Sequence, residues 1–324
     1  MTKYKLRAGA VIALVALLAL PVAAQEPYPS KPVRFIAPFA ASGPLDLLAR
    51  IYAQKLSENW GGKPVVVENR TGASGAIGVE AVAKAAPDGY TLLFTVDIPI
   101  VMAPALMKLP YDPKRDLVPV AAVVDTMNML FIHPSAGAKT LAELVAAAKA
   151  KPGSLTFSSA GTASPGHLCG ELVKAGAGIE MTHVPYKGAA PAMTAVVAGE
   201  VSMFCGPILQ GLPHVKAGKL FALGVTGDRP STLAPDLAPL ARTWPDVVVS
   251  NWFAVFAAPR TPAAIVAFLQ AELQKVYNDP GIRKRLEAGG MDPIWMGSAE
   301  LSAAVERDLE KWSQVVKQAG IKAE

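Results

Sequence analysis

Cysteine is scarce in this sequence, with two residues, Cys169 and Cys205, in 324. A structural zinc site of four cysteines is thereby excluded. Composition alone favours two separate buried thiols, and a single disulfide is the alternative in an oxidising compartment. Histidine is nearly as rare, at four residues, and no His-Glu-x-x-His or Walker motif is present. Gly72-Ala-Ser74-Gly75 lacks the spacing of a nucleophile elbow, and nothing local pairs a histidine or aspartate with a serine. The glycines at 72, 75 and 78 follow a strand-like run, but not at dinucleotide-binding spacing. The expectation is a protein without catalysis, cofactor or metal.

Long apolar runs and one-signed charge are missing as well. The one extended apolar run, Ala8 to Leu20, is about 13 residues, short of the roughly 20 that span a bilayer. Lys3, Lys5 and Arg7 precede it, and Val22-Ala23-Ala24 follows it with small residues. That order predicts a cleavable export signal over residues 1–24, cut after Ala24. The next residue is Gln25 rather than a cysteine, which argues against a lipid anchor and for a protein free in the periplasm. Without the leader, 28 basic residues face 26 acidic ones, about +2 from a full-length +5. No basic stretch tracks a phosphate backbone, so nucleic acid is not an expected partner.

The remaining 300 or so residues alternate strand and helix patterns, as in parallel sheets covered by helices. Strands are predicted at 33–37, 64–68 and 91–95, with helices at 45–60 and 77–86. The stretch 118–132 carries Asp125, Thr126 and Asn128 in an apolar run. It reads as too polar for one core strand and as the crossing into a second domain. There, helices at 141–150, 167–175 and 191–199 alternate with strands at 155–159, 181–185 and 201–205. A return strand at 221–226 leads through a proline-rich segment to 247–257 and helices at 262–278, 281–288 and 299–319, which pack back on the first domain. The expected organisation is α/β: residues 25–123 and 225–324 form one domain, residues 124–224 the other, with a cleft between them at the carboxyl ends of strands.

Two strand-to-helix loops suggest how that cleft binds. Pro38 to Pro44 and Ser158 to Pro165 each bring small or hydroxyl residues to a helix beginning with proline. Proline there leaves the next amides free to meet an anion, so two such ends would clamp a carboxylate. Ala41, Ser42 and Gly43, with Ser159, Ala160, Gly161, Thr162 and Ser164, are the candidate contacts, though serines at helix starts also serve as plain caps. Asp46 either borders the site or complements its helix dipole. Thr95 and Asp97 close the third strand. Asp97 would face a ligand donor or ammonium, or cap the next helix. His167, Tyr186 and Lys187 could add a donor, an aromatic wall and a charge. Trp252, after Asn251, would stack on a ligand or fill the core.

The motifs together resemble the Bug family, the extracytoplasmic solute receptors of tripartite tricarboxylate transporters. The residues that carry the resemblance are Tyr28-Pro-Ser-Lys-Pro-Val-Arg34, the Pro38-Phe39 loop ending at Asp46, Val65-Val-Val-Glu-Asn69-Arg70, Ala86-Pro-Asp-Gly-Tyr90, Leu109-Pro-Tyr-Asp-Pro113 and His183-Val-Pro-Tyr-Lys-Gly188. The resemblance implies a type II periplasmic binding protein fold: two doubly wound, mainly parallel domains that close by a hinge on a small carboxylate. It implies a monomer that delivers its ligand to transporter subunits; a sensor kinase as partner, or a periplasmic hydrolase, are the alternatives. It also puts Cys205 where the family commonly has a ligand-reaching aspartate. Cys169 and Cys205 would then lie near the cleft at the carboxyl ends of neighbouring elements, where a disulfide would stiffen the second domain.

Overall fold

The computed structural model describes residues 28–162 and 164–318. The predicted leader and its expected cleavage point lie outside the described residues. The chain opens with β1 (Val33–Ala37), α1 (Pro44–Asn59), β2 (Val65–Asn69), α2 (Ala76–Ala83) and β3 (Thr91–Val96). β1 pairs in parallel with both β2 and β3. α1 begins at Pro44 and buries Leu45, Leu48, Ala49, Tyr52, Ala53 and Leu56, a stripe at three- and four-residue spacing that a helix turns to one face. An irregular helical segment, Ile98–Met102 and Ala103–Leu106, follows β3.

β4 (Val118–Ile132) comes next, and it corrects the reading of this stretch as too polar for one strand. Residues 118–127 pair antiparallel with β9 (Ser250–Ala257), whereas 128–132 pair with β7 (Met203–Pro207). The polar residues fall where the strand passes from one set of partners to the other, so they need not fit either core. Asp125 is buried there beside Arg229, at 3.2 Å. Burial pushes its carboxyl up to about 6 against the pull of Arg229. Thr226 ties the crossing chains together: its hydroxyl receives the Asn128 N–H at 2.9 Å and donates to the Val249 carbonyl.

Beyond β4 come α3 (Leu141–Ala150), β5 (Leu155–Ser159), α4 (Pro165–Ala177), β6 (Met181–Pro185) and α5 (Ala189–Ala198), then β7, α6 (Ile208–Lys216) and β8 (Phe221–Val225). β5 pairs in parallel with β6 and β7. After β9 the chain adds α7 (Ala263–Tyr277), α8 (Pro280–Ala288), β10 (Asp292–Gly297) and α9 (Ser298–Gln318). The strand order is β2-β1-β3-β9-β4-β7-β5-β6, with β8 and β10 also on β4. Each half is therefore parallel at its edge and antiparallel where it meets β4. Two elements are absent from the sequence reading. α6 carries Gly211 and Pro213, which disguise a helix, and β10 has Pro293 at its second position.

The structure joins Cys169 to Cys205, against the composition-based expectation of two separate thiols. Cys205 lies in β7, and Cys169 lies in the second turn of α4 rather than at the carboxyl end of an element. Both are buried. Close approach is possible because Gly166 faces the β7 backbone: a Cβ there would stand 2.6 Å from the Cys205 carbonyl oxygen. With a sequence separation of 36, loop-closure entropy puts the stabilisation at about 3–4 kcal/mol. The Cys169→Ala/Cys205→Ala variant should lose most of that in urea unfolding, and unfolded, unreduced protein should titrate no free thiol; two thiols would refute the bond.

Candidate functional site

A cleft of about 580 Å³ opens where β4 crosses between the two halves, within the size range of small-molecule sites. Thr126, Asn128 and Asn251 supply its side-chain polar groups from the crossing strands. α1 reaches it through Pro44 and α4 through Pro165 and Gly166. The starts of the two helices thus share one cavity, and the first-turn amides of each have no acceptor within their own helix. Pro44 and Pro165 belong to loops singled out from the sequence, but the residues reaching the wall are mostly others.

The loop side chains are occupied with holding the loops. Asp46 accepts from the Ser42 amide at 2.9 Å, from Arg50 Nε at 3.0 Å and from Asn69 Nδ2 at 3.0 Å. Asn69 Nδ2 also donates to the Phe39 carbonyl. This clasp keeps Ser42 at φ 66°, a left-handed conformation that costs a non-glycine residue about 1–2 kcal/mol. The hydrogen bond from Arg50, helped by Ser42 and Asn69, outweighs burial and holds the Asp46 carboxyl down at about 2. Ala41, Ser42, Gly43 and Asp46 therefore build the loop and stand off the cleft wall.

The second loop is held in a parallel way. The Ser159 hydroxyl receives the Gly161 amide at 3.1 Å and sits 2.7 Å from His183 Nε2. The His183 ring stacks on His167 at 3.8 Å between centroids, and both stack on Phe157. Burial and the His167 neighbour push His183 down to about 4, and burial and Lys174 lower His167, so the pair is neutral near pH 7. Ser164 caps α4 by accepting from the His167 amide. Ala160 does line the cleft, whereas Ser159, Gly161, Thr162, Ser164, His167 and Tyr186 do not.

Three further candidates lie behind the wall. Thr95 is fully buried and donates to the Val96 carbonyl. Asp97 is buried too and makes no side-chain cap, which removes the capping role expected of it. It accepts from Asn251 Nδ2 at 2.8 Å, and burial pushes its carboxyl well above the ordinary range despite that bond. Asp97 thus orients a cleft residue without touching the cleft. Trp252 is core: its indole packs near Phe256 and donates to Asp308 at 3.0 Å. Cys205 lines the cleft, with its sulfur committed to Cys169.

The rest of the wall is apolar and was not anticipated. Leu47, Leu48 and Ile51 come from α1, and Ile208 and Leu209 from α6. Leu286 and Met291, with exposed Arg285, complete the end formed by α8. Arg285 was not among the residues singled out from the sequence. Leu209 also abuts Gly290, which has φ 80°, and a Cβ at 290 would stand 2.7 Å from Leu209 Cδ1. The readable signals were the polar break in 118–132 and the 3–4 spacing of apolar residues that α1 carries beyond its buried stripe.

Known proteins share this architecture. The chain matches the family described as tripartite tricarboxylate transporter family receptor over residues 48–321. It is 34% identical over 308 residues to Protein BugT of Bordetella pertussis, covering 94% of each chain. Among solved structures, R. palustris Rpa4515 with adipate aligns at a TM-score of 0.72 and 30% identity, over 92% of this chain and 100% of that one. MatC (Rpa3494) from Rhodopseudomonas palustris with bound malate aligns at 0.66 and 30%, over 89% and 100%.

The Asp46 clasp generates a pH-dependent outcome. Its folded carboxyl titrates near 2 against an ordinary 3.8, so its contribution is complete above about pH 4 and is lost as pH falls through 2. Asp46→Asn should lower stability by about 1–3 kcal/mol at pH 7, and the gap from the parent should narrow at pH 3. Urea midpoints at both pH values measure this, and equal midpoints at pH 7 would show that the clasp contributes nothing.

Proposed function

The chain belongs to the tripartite tricarboxylate transporter receptor family and has its two-domain α/β binding-protein fold, and from that premise we propose that it is a periplasmic receptor for a small organic carboxylate. The observation that carries this reading is the meeting of two proline-started helices, α1 and α4, at one cavity between the halves of the sheet. Each start carries a partial positive charge of about half a unit, and a carboxylate between them gains charge-assisted hydrogen bonds of roughly 1.5–3 kcal/mol each. A few such bonds approach the roughly 8 kcal/mol of micromolar binding. Asn128 and Asn251 add carboxamides beside them. The relatives solved with adipate and with malate support a carboxylate here.

In this reading residues 1–24 direct export. Residues 25–123 and 225–324 form one domain and 124–224 the other. Closure is a hinge motion at the crossings near Asp125 and Thr226. The closed form is the one a tripartite tricarboxylate transporter accepts, and no bond is made or broken in the ligand.

Thermal unfolding of residues 25–324 against aliphatic, aromatic and amino carboxylates and their neutral amides tests this. At 100 times its dissociation constant a ligand adds about 2.7 kcal/mol, so an upward shift with acids and none with amides is expected. Asn128→Ala should cut the shift, because Asn128 lines the cleft half-buried with its side-chain amide unbonded among the described residues. A panel in which no carboxylate shifts the transition would remove the reading.

A further inference from the structure

The cleft that would hold a carboxylate is polar along the crossing strands and hydrocarbon elsewhere, and the chemistry of that second part is unassigned. Pro44, Leu47, Leu48 and Ile51 recur at the spacing that puts residues on one helical face. They carry the apolar wall of α1 from its first residue through about two turns, roughly 10 Å at 1.5 Å per residue. Ile208 and Leu209 of α6 line the same cavity from the other half of the sheet, with Phe253, Leu286 and Met291 between. Among the described residues, Arg285, exposed to solvent, is the one charged side chain on these walls.

Exposure adds a second observation. Among the described residues five large hydrophobic side chains are well exposed, and two of them, Leu47 at 52% and Leu209 at 43%, border this cleft from its two sides. A lone exposed leucine needs no partner, but two that border one apolar concave surface from its two sides form a patch of the kind an apolar partner covers. A hydroxylated di- or tricarboxylate fits such walls poorly, because each hydroxyl taken out of water against leucine and isoleucine loses its hydrogen bonds. The volume of about 580 Å³ suits a small molecule.

We infer that the ligand is an amphipathic carboxylate: its carboxyl group meets the helix starts and Asn128, and a hydrocarbon body, alkyl or aryl, lies along the α1 and α6 walls. This inference rests on the receptor reading above and narrows it to carboxylates whose remainder is apolar.

Calorimetric titration of residues 25–324 with butanoate, hexanoate, octanoate and 3-phenylpropanoate, beside malate and citrate, tests it. Affinity is expected to rise about fourfold per added methylene until the wall is covered, and octanoate and 3-phenylpropanoate should bind more tightly than malate and citrate. Leu47→Gln, at a half-exposed position where folding tolerates the change, should flatten the dependence on chain length. Its melting temperature without ligand serves as the check on folding. Tight malate or citrate binding with a flat alkyl series would overturn the inference and leave the receptor reading intact, because the apolar walls would then serve only to meet each other. An undiminished chain-length gain in Leu47→Gln would overturn it as well. Failure of every acid to bind would instead remove the receptor reading, and this inference with it.

Discussion

A strand that serves two sheets must change hydrogen-bonding partners partway along, and the residues at that change cannot belong fully to either core. β4 meets this constraint by placing Asp125, Thr126 and Asn128 at the transfer. Asp125 stays buried beside Arg229, while Thr126 and Asn128 reach the cleft. The Thr226 hydroxyl then bridges the crossing chains by accepting from Asn128 and donating to Val249. One local necessity therefore produces both the connection between the halves and the polar part of the site. Asp125 also carries a cost, since burial raises its carboxyl and the folded protein favours the protonated form up to about pH 6.

Loop polarity and cleft polarity are separate systems in this protein. Asp46, Asn69 and Arg50 spend their hydrogen bonds on the first loop, and Ser159 with His183 spends its own on the second. What the loops then offer a ligand is backbone held in place by these clasps, the arrangement that preorganises a site without bringing fixed charge to it. Asp97 extends the pattern one layer deeper by holding Asn251 from behind. An anion entering such a cleft would meet amides and dipoles, with Arg285 at one end and the buried acids shielded behind Asn251 and Arg229.

Much of the architecture was legible in the sequence because it rests on local rules. Proline at the first helical position placed Pro44 and Pro165 correctly, and the alternation of apolar strands and amphipathic helices gave most elements within a few residues. Local rules failed where a tertiary partner decided the outcome. Residues 118–132 look too polar for a strand until β9 and β7 are known to share it. α6 survives Gly211 and Pro213 because it packs on Phe131, which leaves no room for a Cβ at 211. The site was legible only in part for a similar reason: positions 47, 128, 205, 251 and 285 meet through chain crossings, and no pattern within one window links them. The hydroxyl and acidic residues that attracted attention were instead caps, clasps and core.

At one end of the cleft the placement of Leu209 depends on a side chain that is missing. Leu209 rests against Gly290, and a Cβ at that position would stand 2.7 Å from Leu209 Cδ1, so the exposed leucine side chain would have to turn. The backbone there is left-handed, so alanine would also be strained, by about 1–2 kcal/mol. A substitution at this glycine would therefore re-aim Leu209 at the mouth of the cleft, at a modest loss of stability and without altering the helix starts. Lineages descending from this protein could reshape one end of the cleft by substituting a glycine, while the helix starts at the other end stayed as they are.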